Sequence, residues 1–250
     1  MIPKIVHYIW FGRNPYNEKI KDCMKSWQEY LPEYEFKLWN EETFDIDNSC
    51  DFVKEAFANK KWAFVSDYVR VWALNKFGGV YLDTDIEVCQ PLDKFLDKRM
   101  VLGTDELGHL TAFMASEPEQ PLWIELLDSY HSTPFLLTDG TFNQKVNNLY
   151  IEDLLAERGY KVENKNQRIE EGIEIYSDEW FHAVDHMTGD SHITADTHTI
   201  HWHTLTWCPR STRVNRYVRV NILRKIFGGK MATKIFLAFA RKRKTVKQKG

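Results

Sequence analysis

Residues 60–88 constrain the fold more than any other stretch of the chain. Over Lys60–Phe77 the residues Trp62, Val65, Val69, Trp72 and Lys76 recur at intervals of three and four, the spacing that aligns side chains along a helix. Gly78-Gly79 follows, and glycine supplies the left-handed backbone that stops a helix. Val80–Val88 then reads at once as a strand. The same alternation runs along the rest of the sequence. Lys4–Trp10, Tyr34–Trp39, Met100–Gly103, Leu110–Ala115, Ile173–Tyr176 and Thr199–His203 read as strands, and Tyr16–Tyr30, Asp51–Asn59, Gln120–His131 and Thr141–Arg158 read as helices. This order predicts an α/β domain with a largely parallel central sheet flanked by helices. A chain of 250 residues, 43% of them hydrophobic, is long enough to bury one sizeable core.

The predicted strand after Gly79 contains Tyr81-Leu-Asp-Thr-Asp-Ile-Glu87. Residues i and i+2 of a strand share a face, so Asp83 and Asp85 are expected to project together where the strand leaves the sheet. Open α/β sheets bind ligands beyond the carboxyl ends of their strands. Two carboxylates there repel each other unless a cation lies between them. A hard divalent ion with oxygen ligands, completed by substrate phosphates, is the natural solution, and it would neutralise a diphosphate leaving group. A bare D-x-D is weak, because acidic turns have the same pattern; the helix–Gly-Gly–strand before it adds weight. Glu87 continues the same face, either as a group supporting the metal ligands or, the favoured reading, as a solvated charge.

Two further groups stand out. Thr199-Ile-His-Trp-His-Thr-Leu-Thr-Trp207 places His201 and His203 at i, i+2 of a likely strand, either as metal ligands or as satisfied structural histidines. Imidazole nitrogen beside carboxylates favours manganese-like ions over calcium. In Ser66-Asp67-Tyr-Val-Arg70, the two charges share one face of a strongly apolar helix. An exposed pair would contribute under about 1 kcal/mol, whereas a buried pair has to offset its desolvation. Arg70 suits phosphate charge and Asp67 suits hydroxyl donors.

Four segments together resemble glycosyltransferase family 32, the sugar-binding-region group with the D-x-D motif, and more distantly the glucosylating domains of large clostridial toxins. They are Ile2-Pro-Lys-Ile-Val-His-Tyr-Ile-Trp-Phe-Gly12, Ser66-Asp-Tyr-Val-Arg70, Gly78-Gly-Val-Tyr-Leu-Asp-Thr-Asp85 and Ile200-His-Trp-His-Thr-Leu-Thr-Trp207, and they occur in the family's order. The resemblance is dense over 2–104 and returns near 200–207. It implies a GT-A type nucleotide-sugar-binding domain, a nucleotide-sugar donor (a UDP-sugar favoured, GDP-mannose the alternative), a divalent metal (Mn2+ favoured, Mg2+ the alternative) and retention at the anomeric carbon. By position, Trp10 would stack on the nucleobase, with Tyr8, Thr84 and Trp207 also lining the donor site. Asp67 and Arg70 would contact the sugar and its phosphate. Asp85 would hold the metal directly, and Asp83 would be shared between donor and metal. Trp202 and His203 stand in swapped order relative to the family pattern, which leaves open whether His201 or His203 is the ligand. Asp105, Glu106 and Asp139 are candidates for holding acceptor hydroxyls, or are ordinary turn residues. Retention with no marked carboxylate nucleophile favours front-face attack over a double displacement.

Charge separates a second region. Residues 210–250 hold fourteen Lys or Arg and no Asp or Glu, whereas 1–209 hold nineteen basic and thirty-six acidic residues. Val214, Tyr217, Val218, Ile222, Ile226 and Phe227 form an apolar stripe with Arg213, Arg216, Arg219, Arg224 and Lys225 around it. The sequence therefore divides into a domain over 1–209 and a basic amphipathic tail over 210–250. Such a tail reads as an anchor to an anionic membrane surface, in keeping with a saccharide or lipid-linked acceptor. The apolar stripe argues against nucleic acid. No apolar run approaches the roughly 18–20 residues that cross a bilayer. Four scattered cysteines and no leader sequence point to a cytoplasmic protein, peripheral on the inner membrane face. Two other classes fit less well. A D-x-D phosphohydrolase wants Thr or Val where Glu87 stands, and a non-catalytic sugar-binding protein would not need the Asp67, Arg70, Asp83 and Asp85 set intact. Nothing in the sequence indicates an oligomeric state.

Overall fold

The computed structural model describes residues 1–206, 208, 210–229, 231–232 and 234–235. In chain order the main elements are β1 (Ile5–Ile9), α1 (Glu18–Tyr30), β2 (Glu35–Trp39), α2 (Asp51–Ala58), α3 (Trp62–Phe77), β3 (Gly79–Leu82) and β4 (Ile86–Val88). There follow β5 (Met100–Thr104), β6 (Leu110–Ser116), α4 (Pro121–Ser132), α5 (Asn147–Ala156), β7 (Gln167–Arg168), β8 (Ile173–Tyr176), α6 (Asp178–Phe181) and β9 (Thr199–His201). A C-terminal helix comprises α7 (Arg210–Tyr217), a π-helical stretch Val218–Leu223 and α8 (Arg224–Phe227).

Seven strands form the central sheet in the order β2-β1-β3-β6-β5-β8-β7. The pairs β1–β2, β1–β3 and β5–β8 are parallel, while β6 runs antiparallel to both β3 and β5. Two antiparallel steps restore direction, so β1, β2, β3, β5 and β8 all point the same way, and only β6 and the edge strand β7 oppose them. The largely parallel α/β sheet expected from the sequence is therefore observed. Helices cover both faces. Tyr81, Leu102, Met114 and Ile175 pack with α2–α5 on one side, while Val80, Leu82, Val101 and Phe113 pack with Trp27 of α1 and Phe181 of α6 on the other. All four residues of β3 are buried, as a central strand covered on both faces requires.

The turn from α3 into β3 depends on its glycines. Gly78 and Gly79 have φ of 63° and 102°, and a Cβ on Gly79 would lie 2.6 Å from the Ile5 carbonyl oxygen. The helix thus stops where β1 passes, and β3 enters the sheet beside it.

Three predicted elements differ from those observed. Val80–Val88 is two strands, not one. β3 belongs to the central sheet, whereas β4 leaves it to pair antiparallel with β9 in a separate two-stranded sheet. The helix expected over Thr141–Arg158 begins only at Asn147, because Phe142 stacks on Phe135 and Leu136 bridges to Phe142, which holds 135–143 as a turn. The strand expected over Thr199–His203 ends at His201, since His203 and Leu205 both take φ near +50°.

Candidate active site

The break between β3 and β4 creates the site. Asp83-Thr84-Asp85 forms a turn closed by Ile86 N–H to the Asp83 carbonyl (3.0 Å). The two carboxylates converge because the chain turns between them, not because a strand alternates. β9 lies against β4 with Ile86 opposite His201, which carries the imidazole to the turn. His201 Nε2 is 3.3 Å from Asp85 Oδ1 and 4.0 Å from Asp83 Oδ2. One ligand atom from each of Asp83, Asp85 and His201 lies within 4.8 Å of the others. This donor set of two carboxylate oxygens and one imidazole nitrogen fits a divalent ion of the manganese type.

Asp85 is the more enclosed acid. Its Oδ2 accepts hydrogen bonds from Thr204 N–H (2.6 Å) and Oγ1 (2.9 Å). Burial alone would raise its pKa, but His201 and the two Thr204 bonds outweigh it and hold the carboxyl well below the usual range. Burial works against protonated His201, yet Asp85 and Asp83 raise its pKa. The imidazole nitrogen that would bind a metal is therefore also one whose proton the two acids favour.

Asp83 is half-exposed and accepts a hydrogen bond from Tyr81 Oη (2.5 Å). Arg70 reaches it from α3 at 3.7 Å and also lies 3.3 Å from Asp67. The guanidinium stacks over the Tyr81 ring at 4.6 Å, so Arg70 is clamped between two acids and an aromatic face. Asp67 is buried and accepts from the Asn147 backbone N–H (3.1 Å). Burial raises its pKa more than Arg70 and Asn147 lower it. Asp67, Arg70, Asp83, Asp85 and His201 thus form one continuous polar seam at the carboxyl edge of β3.

Tyr8, near the end of β1, and Trp10, just beyond it, lie at the same edge, because β1 runs parallel to β3 with His7 opposite Tyr81. Trp10 lies against the Tyr16 ring (4.8 Å) and donates to the Asn14 carbonyl (2.7 Å), and Tyr8 packs edge-on to Trp27. Thr84 is buried in the turn itself. Trp207 lies outside the described residues.

Several candidates have other roles. His203 stands outside the metal group: its ring lies 3.9 Å from that of His201, but its Nε2 donates to the Val184 carbonyl (3.0 Å). Asp105 Oδ1 accepts from the backbone N–H groups of Leu107 and His109, and Asp139 Oδ1 accepts from Thr141 N–H and Oγ1. Both are turn carboxylates. Glu106 instead stands near His186 and Asp185, with its pKa raised by burial. Glu87 is not a solvated charge. It accepts from Trp202 Nε1 (2.7 Å) and Lys19 Nζ (3.0 Å), so it ties the late segment to β4.

Sequence reasoning missed Thr204, Asn147 and Tyr81 as supports of the acidic seam. Thr204 lay inside the quoted late segment, three residues after His201. Asn147 carried no signal, because its contact with Asp67 spans 80 residues.

Residues 17–102 match the family model described as the glycosyltransferase sugar-binding region containing the DXD motif. That stretch of the chain is similar to DXD-type glycosyltransferase regions. The resemblance read from the sequence is borne out there, and the α/β architecture agrees with the GT-A type it implied. The chain is 28% identical over 163 residues to the mannosyl phosphorylinositol ceramide synthase SUR1 of Saccharomyces cerevisiae, covering 56% of this chain and 39% of that protein. It is 33% identical over 98 residues to the inositol phosphoceramide mannosyltransferase 3 of Schizosaccharomyces pombe, covering 38% and 27%. The chain therefore spans well under half the length of these relatives. Among solved structures, the PaToxG glycosyltransferase superposes with a TM-score of 0.48 at 17% identity, over 62% of this chain and 70% of that one.

Proposed function

We propose that this chain is a retaining, divalent-metal-dependent hexosyltransferase that moves a sugar from a nucleotide-sugar to a lipid-linked acceptor at a membrane surface. The observation that carries the reading is the convergence of Asp83, Asp85 and His201 beside Arg70 and Asp67. When bound, the ion would supply charge for the diphosphate, with Mn2+ favoured by the mixed nitrogen and oxygen donors. Arg70 faces the same side and suits the phosphate, and the Asp67 carboxylate suits sugar hydroxyls. Trp10, at the rim, suits the base. Asp105 and Asp139 are committed to turns, which favours front-face attack. In that route the acceptor oxygen bonds to the anomeric carbon, the bond from that carbon to the phosphate oxygen breaks, and the departing phosphate takes the hydroxyl proton. The mannosyltransferase activities for which the relatives are named make mannose the favoured sugar and GDP-mannose the favoured donor, in place of the UDP-sugar expected first. They also favour an acceptor with a phosphoinositol headgroup. The matched glycosyltransferase region speaks against the phosphohydrolase reading.

A melting-temperature screen of GDP-mannose and UDP-sugars, with and without Mn2+, tests the donor. The expected result is metal-linked stabilisation of about 2.7 kcal/mol at a hundredfold excess of ligand over Kd, for one donor only. Equal stabilisation with and without metal would overturn the metal assignment. Transfer to phosphoinositol-headed lipid, and none to free inositol phosphate, is the expected acceptor result.

The C-terminal helix is proposed as the membrane contact. Val214, Tyr217, Ile222, Ile226, Phe227 and Met231 are all exposed. Among the described residues no helix is long and apolar enough to cross a membrane. Not all of the basic residues face outward to meet anionic lipid, however: Arg219 is buried, and Arg224 Nε bonds Asp190 (2.8 Å). Insertion of the outward apolar stripe would then give peripheral attachment. The combined substitution Tyr217→Ser, Ile226→Ser and Phe227→Ser is expected to cut binding to phosphatidylserine vesicles at least tenfold and leave the melting temperature within a few degrees. Unchanged sedimentation with vesicles would sink the assignment.

A further inference from the structure

The C-terminal helix does more than present an apolar face. It is pinned to the loop 185–190: Arg219 Nη2 donates to the His186 carbonyl (3.3 Å), Arg224 pairs with Asp190, and Val220 packs on Gly189, where an added Cβ would come within 2.4 Å of Val220 Cγ1. From that loop a run of rings leads to the acidic turn. The His186 and His203 rings are 4.9 Å apart, His203 and His201 are 3.9 Å apart, and His201 reaches Asp85.

Arg216 precedes Arg219 by three residues and so shares its helix face. Its charge acts on His186, His201 and His203, and the acids that act on it in return are Asp85, Asp185 and Glu106. Yet its Nε is buried without a hydrogen-bond partner, and among the described residues no carboxylate comes within 4.0 Å of its guanidinium. Burial, and then Arg219, push its pKa down. A half-buried cation with a second guanidinium beside it is costly unless an anion joins it. A metal ion would take up the charge of Asp83 and Asp85 and leave Arg216 less compensated still. A multiply charged anion meeting the metal on one side and a planar guanidinium fork on the other answers both needs.

We propose that Arg216 binds the diphosphate of the nucleotide-sugar donor and of the departing nucleoside diphosphate. This rests on the reading of the site as a nucleotide-sugar site. Its consequence is that the C-terminal helix is part of the donor site as well as the proposed membrane contact.

The test is calorimetric binding of GDP and UDP to the full chain in saturating Mn2+, with guanosine and uridine as probes that lack phosphate. Arg216→Ala is expected to weaken the diphosphate that binds the unaltered chain by about 10- to 100-fold, the range of a lost charge-assisted contact. Arg216→Lys should recover part of that loss. Arg213→Ala, at an exposed position of the same helix, should change nothing, and nucleoside binding should be equal in every variant. Melting temperatures without ligand separate binding loss from misfolding, and Arg216→Lys decides the matter if the alanine variant does not fold. Equal diphosphate affinity in Arg216→Ala and the unaltered chain overturns this inference and leaves the proposed function standing. Failure of the unaltered chain to bind either diphosphate in Mn2+ overturns both.

Discussion

Replacing Asp85 with alanine is expected to lower sugar transfer by about a thousandfold or more, the largest catalytic effect of any single change in the site. Asp85 is the acid that His201 approaches most closely, and Thr204 aims its lone pairs through two hydrogen bonds. Losing it would remove a proposed metal ligand and also strand Thr204 N–H and Oγ1 in a part-buried place, at a cost of about 1 kcal/mol. Asp85→Asn separates the two effects. The amide oxygen still accepts from Thr204, so this variant should lose the charge pairing with His201 but melt closer to the unaltered protein than Asp85→Ala does, while showing no Mn2+-dependent shift. Full transfer activity in either variant would remove Asp85 from the metal site. The pH dependence follows from the two pKa directions. The depressed Asp85 contributes stability above the ordinary carboxylate value, and loses it as pH falls through the lower folded value. The raised His201 contributes stability below its ordinary value of 6.5, and loses it as pH rises through the higher folded value. In the metal-free protein the pair's contribution should therefore be full from about pH 4 to 6.5 and fade on the alkaline side. Mn2+ must displace the His201 proton, so the stabilisation it brings should grow across the pH range where that contribution fades.

What was legible in the sequence was local. The spacing in α3, the Gly78-Gly79 stop and the entry into β3 all follow from contacts within a few residues, and they place Asp67, Arg70 and Asp83 correctly at one edge. The D-x-D pair was identified for a reason that does not hold, since its acids lie in a turn. That turn exists because β4 pairs with β9, over a hundred residues later, and no local pattern in 80–88 records such a pairing. His201 and His203 were indistinguishable by spacing. The bond from His203 to the Val184 carbonyl separates them, and the residue type does not predict it. The tail misled in a different way. Amphipathic spacing correctly grouped the apolar stripe, but periodicity says only that two faces differ, not which faces the protein. Here Arg219 and Arg224 face inward because Asp190 and the His186 carbonyl await them, and the apolar residues face out.

The largest expected effect on stability lies at Arg70. Its side chain is 14% exposed and serves both Asp67 (13% exposed) and Asp83 (28% exposed), with Tyr81 beneath it. Arg70→Ala would leave Asp67 buried with only the Asn147 backbone N–H for its carboxylate. Breaking a buried pair from one side costs about 3–5 kcal/mol, because the remaining charge is uncompensated. Burial already raises the Asp67 pKa with Arg70 present. Without it, the Asp67 pKa should rise further, and the variant should become more stable as pH falls. Adding Asp67→Asn to Arg70→Ala removes the stranded charge and should restore a substantial part of the loss, flattening the pH dependence as well. Chemical denaturation of the four proteins in this cycle at two pH values measures both effects. Additive losses with no pH dependence would mean that the two charges do not depend on each other. The restored double variant should still fail in sugar transfer, since the fold does not need this pair of charges as such; a buried apolar pair of similar volume could replace it. Retention of an Asp–Arg pair at such cost, beside the Asp83–Asp85 turn, makes physical sense if the charges act on a ligand.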